Sequence, residues 1–181
     1  MKKVNTGYAV RSLTLAAMLI AMSVVIGIFC KSVLNFGGGL FRITFENFPI
    51  IISGILFGPI VGGAVGLGSD LISYLLSGQA YPPNLIVSVG ATLVGVISGT
   101  VSKFIVKKRG NLQVILSGGL AHLIGSMIVK PIGLFAFYEW AVLWRIPLYL
   151  VIAPLEILII CLLFKNRTFI RLTDSVGKKG D

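Results

Sequence analysis

The chain has 181 residues, of which 56% are hydrophobic and only 12% are charged, and its formal net charge is +10. A soluble domain of this length needs a polar surface, and these charges are too few to provide one. The composition therefore excludes a soluble globular protein and indicates an integral membrane protein. The positive charge needs no nucleic acid to explain it, because basic residues also set membrane topology.

Six apolar segments follow one another along the chain, and a helix that crosses a bilayer needs about 20 such residues. We predict helices at about 8–30, 44–57, 59–77, 83–107, 112–137 and 144–165, followed by a basic tail at 166–181. The second helix is short for a span, and the Gly58-Pro59 pair that follows it predicts a tight turn into the third. The predicted fold class is all-α, a polytopic bundle of six transmembrane helices in one domain, residues 1–181.

Most basic residues fall into three groups, which lie before the first helix, between the fourth and fifth, and after the sixth. These groups are Lys2, Lys3 and Arg11; Lys103, Lys107, Lys108 and Arg109; and Lys165, Arg167, Arg171, Lys178 and Lys179. An even number of helices puts all three groups on one side, and the positive-inside rule makes that side cytoplasmic. We therefore expect both termini in the cytoplasm, with the first apolar segment retained because it is too long for a signal peptide.

The remaining four basic residues fall on the outer side, and three other ionisable residues fall inside the spans. The outer residues are Lys31, Arg42, Lys130 and Arg145, and the inner ones are Asp70, His122 and Glu156. A charge at the bilayer centre costs about 2.5 to 3.5 kcal/mol, so each inner residue should face a cavity or a partner. They either pair with one another or with hydroxyls to lock the bundle, or they line a binding site.

The outer loops mix aromatic residues with glycine, proline and arginine. Phe36, Tyr81 and Trp144 lie in three different loops, and the second of these also contains Asn84 and Pro82, a proline that stiffens it. Aromatic residues at this depth are typical of the interfacial belt of membrane proteins, and the same mixture also suits a lid over a flat anionic ligand. Cys30 and Cys161 are expected near opposite faces, so the sequence predicts neither a disulfide nor a metal site.

Small residues recur at four-residue spacing within the predicted helices. The glycine series are Gly54, Gly58, Gly62 and Gly66, and then Gly95 and Gly99; Ala17 and Ala21 form a further pair in the first helix. Small residues at this spacing let helices approach closely. For the glycines we predict packing within the bundle, and for the alanine pair a docking face for another membrane protein is an equal alternative.

Three stretches carry a resemblance to a known family. They are Arg42-Ile-Thr-Phe-Glu-Asn-Phe-Pro-Ile; Gly54-Ile-Leu-Phe-Gly-Pro-Ile-Val-Gly-Gly-Ala-Val-Gly followed by Asp70; and Tyr81-Pro-Pro-Asn. With these stretches the chain resembles the substrate-binding S component of energy-coupling factor (ECF) vitamin transporters, and within that family it is most similar to the folate-specific members.

The resemblance implies a binding protein in the cell (plasma) membrane of a prokaryote, and no enzyme. Such a component captures a vitamin on the outer face and delivers it through a membrane coupling subunit and two ATPase subunits. The resemblance implies that Ala17 and Ala21 contact the coupling subunit. It also implies no cofactor in this chain, since ATP is used by the partner subunits, and the sequence has no phosphate-binding loop of its own.

Folate chemistry suits the ionisable residues. The pterin edge offers two N–H donors to a carboxylate such as Asp70 or Glu156, and the glutamate tail offers carboxylates to Arg42, Lys130 or Arg145. The predicted substrate-binding residues are Arg145, Lys130, Arg42, Asp70, Glu156, His122, Phe36, Tyr81, Pro82, Asn84 and Trp144. Alternatives are another vitamin such as riboflavin or pantothenate, a six-helix intramembrane protease using Ser69 and His122, and a channel or scaffold.

Overall fold

The computed structural model describes residues 6–36, 41–77, 84–106, 108, 110–167 and 169, with the backbone alone at 6–9, 35, 36, 41, 42, 136–138, 141, 144 and 145. Its helices are α1 (Thr6–Val33), α2 (Asn47–Phe57), α3 (Pro59–Leu76), α4 (Leu85–Thr100), α5 (Asn111–Ala121), α6 (Lys130–Tyr138) and α7 (Arg145–Lys165). Two-residue strands β1 (Asn35–Phe36) and β2 (Phe41–Arg42) pair antiparallel between α1 and α2.

Three shorter helical segments extend or join these elements. Val101–Ile105 is a π-helical continuation of α4, His122–Val129 is a π-helix between α5 and α6, and Glu139–Trp144 is a 3-10 helix before α7. Because α5, the π-helix and α6 follow one another without a break, they make one rod. The described ranges therefore contain six helical rods, and the all-helical bundle predicted from the sequence is confirmed.

Five of these rods are long and apolar enough to cross a membrane. The candidate spans are Val10–Val33, Pro59–Leu76, Leu85–Ile105, Asn111–Phe135 and Ile146–Lys165, while α2, with 11 residues, is shorter. A helix satisfies its own backbone hydrogen bonds, which is why apolar segments of this length are helical in lipid. The chain is a membrane protein.

The short helix α2 lies inside the bundle. It packs against α1, α3, α4, α5 and α7, and its residues from Pro49 to Gly54 are all buried. It begins at Asn47 and not at the predicted 44, because the hairpin continues beyond β2: the Ile43 N–H donates to the Leu34 carbonyl at 3.2 Å. The residues that start α2 are thus interior residues, although they directly follow a loop.

Glycines set the close packing of α3 on α4. A Cβ at Gly95 would lie 2.0 Å from the carbonyl oxygen of Gly62, and a Cβ at Gly66 would lie 2.2 Å from that of Ala91. No side chain fits at such distances, so only glycine permits this approach. The predicted role of the glycine series in internal packing is confirmed.

The turn between α2 and α3 also depends on glycine. Gly58 has φ of 88°, a backbone conformation that other residues rarely adopt, and Pro59 then starts α3 at its first position. Proline suits the first helical residue because its fixed φ is already helical and its missing N–H would have no partner there. The hairpin predicted from Gly58-Pro59 is confirmed.

Candidate ligand-binding site

Lys130 is the centre of a polar cluster inside the bundle. Its side chain is almost fully buried, its Nζ lies 3.2 Å from Oε1 of Glu46, and it donates to Oδ1 of Asn47 at 2.9 Å. Nδ2 of Asn47 in turn donates to Oγ of Ser126, one turn before Lys130 in the chain, at 3.3 Å. A buried ammonium group needs such partners, because an unpaired charge in lipid is strongly unfavourable.

A proline and a π-helix next to Lys130 help to place it at this position. Pro131 has no N–H to donate within the helix, and in the π-helix just before it the Lys130 N–H reaches Gly125, five residues back. Segments of π-helix occur often at functional sites because they redirect side chains. The stem of Lys130 then passes Gly90 of α4, where a Cβ would lie 2.8 Å from its Cγ.

Glu46 contacts α1 through both its backbone and its side chain. Its carbonyl oxygen accepts from Oγ of Ser23 in α1 at 2.7 Å, and a Cβ at Gly27 of α1 would lie 3.2 Å from its Oε2. Its side chain is 20% exposed, whereas that of Lys130 is 4% exposed. The carboxylate is therefore the more exposed member of the pair, and the ammonium group is the buried one.

Asp70 lies beside the same cluster. Its Oδ2 accepts from Oγ of Ser88 in α4 at 2.6 Å, and Asp70 lines a cavity together with Glu46. A cavity of about 10 Å³, enough for one water molecule, separates α1, α2, α3 and α4 here. It is lined by Ser23, Glu46, Ile50, Ser69, Asp70, Ser73 and Ala91.

The hydroxyl of Ser69 in this cavity has no hydrogen-bond partner among the described residues, although Ser69 is buried. Buried hydroxyls are normally satisfied, and an exception is a candidate contact for a ligand or a water molecule. The hydroxyl also makes no bond to His122. The serine-histidine dyad of the protease alternative is therefore not formed.

His122 and Glu156 form a separate, deeper pair. His122 Nε2 lies 2.7 Å from Glu156 Oε2, and both side chains are fully buried. The other ring nitrogen and the other carboxylate oxygen have no hydrogen-bond partner in the described part of the chain. These two predicted site residues thus contact each other and join the π-helix to α7.

The other predicted residues are divided between structural positions and undescribed ones. Asn84 caps α4, since its Oδ1 accepts from the Ile86 N–H at 3.0 Å, and its Nδ2 donates to the Gly133 carbonyl. Ala17 and Ala21 are exposed on α1. Tyr81 and Pro82, and the side chains of Phe36, Arg42, Trp144 and Arg145, lie outside the described residues.

The structure adds four residues that the sequence analysis did not select: Glu46, Asn47, Ser88 and Ser126. Glu46 and Asn47 do lie within the stretch that carries the family resemblance. A buried partner for Lys130 was predictable in kind, as an acidic or amide side chain near the outer face, but its position in the chain was not.

The fold and the cluster define a membrane-embedded helical bundle with a small polar cluster among its helices. A family model described as "ECF transporter, substrate-specific component" matches residues 11–173. The chain belongs to this family, so it is a transporter component and not an enzyme.

Two individual proteins are similar to this chain, one named as a folate transporter and the other uncharacterised. The chain is 30% identical over 137 residues to "Folate transporter FolT" of Clostridium novyi (strain NT), covering 74% of this chain and 70% of that protein. It is 33% identical over 107 residues to "Uncharacterized protein MG098 homolog" of Mycoplasma pneumoniae (strain ATCC 29342 / M129 / Subtype 1), covering 54% of this chain and 21% of that protein.

A solved structure gives the same fold. The "Crystal structure of FolT bound with folic acid" has a TM-score of 0.64 against this chain at 23% identity, covering 94% of this chain and 95% of that one. At this identity the similarity concerns the fold alone.

Proposed function

We propose that this S component binds folate with its pterin ring at the polar cluster of Lys130, Glu46 and Asp70. The observation that carries the proposal is the buried Lys130–Glu46 pair beside a cavity that contains the unpartnered Ser69 hydroxyl. A pterin is neutral and offers donors and acceptors side by side, which suits a cluster containing both signs of charge. The 30% identity to a folate transporter supports the same ligand.

Charge decides which end of folate enters the bundle. The cluster holds one ammonium group and two carboxylates, Glu46 and Asp70, so the two carboxylates of the glutamate tail would be repelled there. Arg42 and Arg145 lie at the outer ends of the bundle. Their nearest acidic residues in the sequence are Glu46 and Glu139. We assign the tail to these arginines and the aromatic residues around them.

Of the two carboxylates first considered for the pterin, Asp70 is the better candidate. Glu156 is fully buried and engaged with His122, whereas Asp70 is partly exposed and lines the cavity. A pocket for a ligand of this size has a volume of about 300 Å³ or more. Folate entry therefore requires the helices around the present cavity of about 10 Å³ to move apart.

The remaining partners and the orientation belong to the same proposal. We assign the chain to the plasma membrane of a prokaryote, with both termini cytoplasmic, where it associates with a coupling subunit and two ATPases that hydrolyse ATP. The basic residues between the fourth and fifth rods and after the sixth support the orientation. Green fluorescent protein fused to the carboxy terminus should fluoresce, and alkaline phosphatase fused there should be inactive. The reverse result would exclude a cytoplasmic carboxy terminus.

Isothermal titration of the detergent-purified protein with folate, riboflavin and pantothenate tests the ligand. We expect saturable binding of folate at one site and no binding of the other two. The matched variants are Lys130→Met and Lys165→Met, one in the cluster and one exposed at the end of α7. Only the first should weaken folate binding, and absence of folate binding by the native chain would reject the proposal.

A further inference from the structure

A groove between α5 and α7 shares no residue with the Lys130 cluster. Its volume is about 490 Å³, which is within the usual range for a bound small molecule. It is lined by Asn111, Ile115, Pro154, Ile157, Leu158, Cys161, Leu162 and Lys165. Asn111 begins α5 and Lys165 ends α7, so these two polar residues lie at the same end of the groove, and the other lining side chains are apolar.

The groove residues of α7 form one stripe along the helix. They follow one another at intervals of three, one, three, one and three residues, which places them on a single face: Pro154, Ile157, Leu158, Cys161, Leu162 and Lys165. Ile157 and Cys161 are half-buried, whereas Leu158 and Leu162 are exposed, as is Ile115 of α5. The stripe is therefore open to a molecule in the surrounding bilayer.

The length of the stripe matches one leaflet of a bilayer. Pro154 and Lys165 are eleven residues apart in α7, which corresponds to about 16 Å of helix. The hydrocarbon core is about 30 Å thick, so one leaflet contributes about 15 Å. Lys165 also ends the candidate span Ile146–Lys165. An acyl chain along the stripe would run from the bilayer centre near Pro154 to the headgroup region at Lys165.

The polar end of the groove has the charge that an acidic headgroup needs. Lys165 is exposed, and so are Lys108, three residues before Asn111, and Arg167, two residues after Lys165. The amide of Asn111 can donate to a phosphate oxygen. Basic residues at a membrane surface attract acidic phospholipids, and basic pockets between membrane helices bind their headgroups.

We propose that the groove between α5 and α7 binds one acidic phospholipid, with an acyl chain along the stripe and the phosphate at Lys165 and Asn111. A helix of a partner subunit fits the groove less well. It would need a complementary face along about 20 residues to cross the membrane, whereas the stripe ends after about three turns. Closely packed membrane helices also favour small residues, and this stripe consists mostly of leucine and isoleucine.

Native mass spectrometry of the detergent-purified full chain tests the site with phosphatidylglycerol and phosphatidylcholine that have the same acyl chains. We expect one phosphatidylglycerol per chain to bind at least about fivefold more tightly than phosphatidylcholine, as expected for contact of one basic residue with an acidic lipid. Lys165→Gln should remove this preference. Leu158→Trp should weaken the binding of both lipids, because the larger side chain would fill the groove.

Two matched variants control for charge and for size. Lys103→Gln removes an exposed basic residue that lies near Gly58 and does not line the groove. Ile159→Trp puts the same ring at an exposed position of α7 outside the groove. Both should bind phosphatidylglycerol as the native chain does. Equal affinity of the native chain for the two lipids, or equal effects of Lys103→Gln and Lys165→Gln, would overturn the proposal.

Co-purification with the other transporter subunits tests the alternative occupant. Leu158→Trp should assemble as well as Ile159→Trp does. Loss of assembly in Leu158→Trp alone, with native binding of phosphatidylglycerol, would show that the groove receives a protein helix and would refute the lipid site.

Discussion

Nε2 of His122 lies 2.7 Å from Oε2 of Glu156, and this contact joins the π-helix of the fifth rod to α7 below the Lys130 cluster. Both side chains are fully buried within spans, in a chain whose composition leaves few charges to place there. In lipid such a pair is held together because separation would leave each polar group without a partner. It therefore acts as an anchor between the two rods.

Replacement of one member of this pair should cost more stability than replacement of both. His122→Leu leaves Glu156 buried without its partner, and a loss of about 3 to 5 kcal/mol is typical of a broken buried pair. The double variant with Glu156→Leu should melt at a higher temperature than either single variant. The measurement is the thermal unfolding of the purified protein followed by size exclusion, and additive losses in the double variant would contradict the anchor.

Glycine contacts between α3 and α4 should tolerate no side chain. Gly95→Ala would put a Cβ 2.0 Å from the Gly62 carbonyl oxygen, so the two helices would have to separate. We expect a large loss of folded protein in fluorescence-detected size exclusion. Gly119→Ala is the control, because a Cβ there meets nothing within 4 Å and alanine favours a helix; equal losses in both variants would refute the packing argument.

Substitutions at Asn84 can distinguish a structural role of this residue from a role in ligand binding. Asn84→Ala removes the cap of α4 and the bond to Gly133, which should lower stability by about 1 kcal/mol or more. Asn84→Asp keeps the acceptor for the cap but places a carboxylate oxygen against the Gly133 carbonyl oxygen, so its melting temperature should also fall below the native value. Folate affinity of the folded fraction should stay within about threefold of the native value, as both ends of the amide are already bonded.

A sharp loss of affinity in Asn84→Asp with an unchanged melting temperature would reverse this interpretation. Asn84 would then contact the ligand directly, as the sequence analysis predicted.

The alanine pair of α1 allows a test of subunit docking. Ala17 and Ala21 are exposed, and a bulky residue there would keep another helix from approaching closely. Ala21→Trp should prevent co-purification with the coupling subunit and the ATPases, while folate binding by the isolated chain stays unchanged. Ile128→Trp, on the exposed face of the fifth rod, should assemble normally; assembly of the Ala21 variant would exclude this face.

Apolar length and turn chemistry were enough to predict the architecture. Segments of this length must satisfy their backbone hydrogen bonds internally in lipid, so the sequence implied helices, and Gly58-Pro59 implied the turn. The start of α2 was predicted too early, because the backbone bond between Ile43 and Leu34 is a contact between distant residues. Such pairing leaves little trace in local sequence patterns.

The sequence alone determined that this is a helical membrane protein and that Asp70, His122, Lys130 and Glu156 need partners, since charge in lipid is costly wherever it lies. Only the tertiary structure decided which partners they have. His122 meets Glu156, and Lys130 meets Glu46, which is 84 residues away in sequence. The sequence placed Glu46 at the start of a helix that is too short to span. Only the burial of that helix inside the bundle brings Glu46 to Lys130.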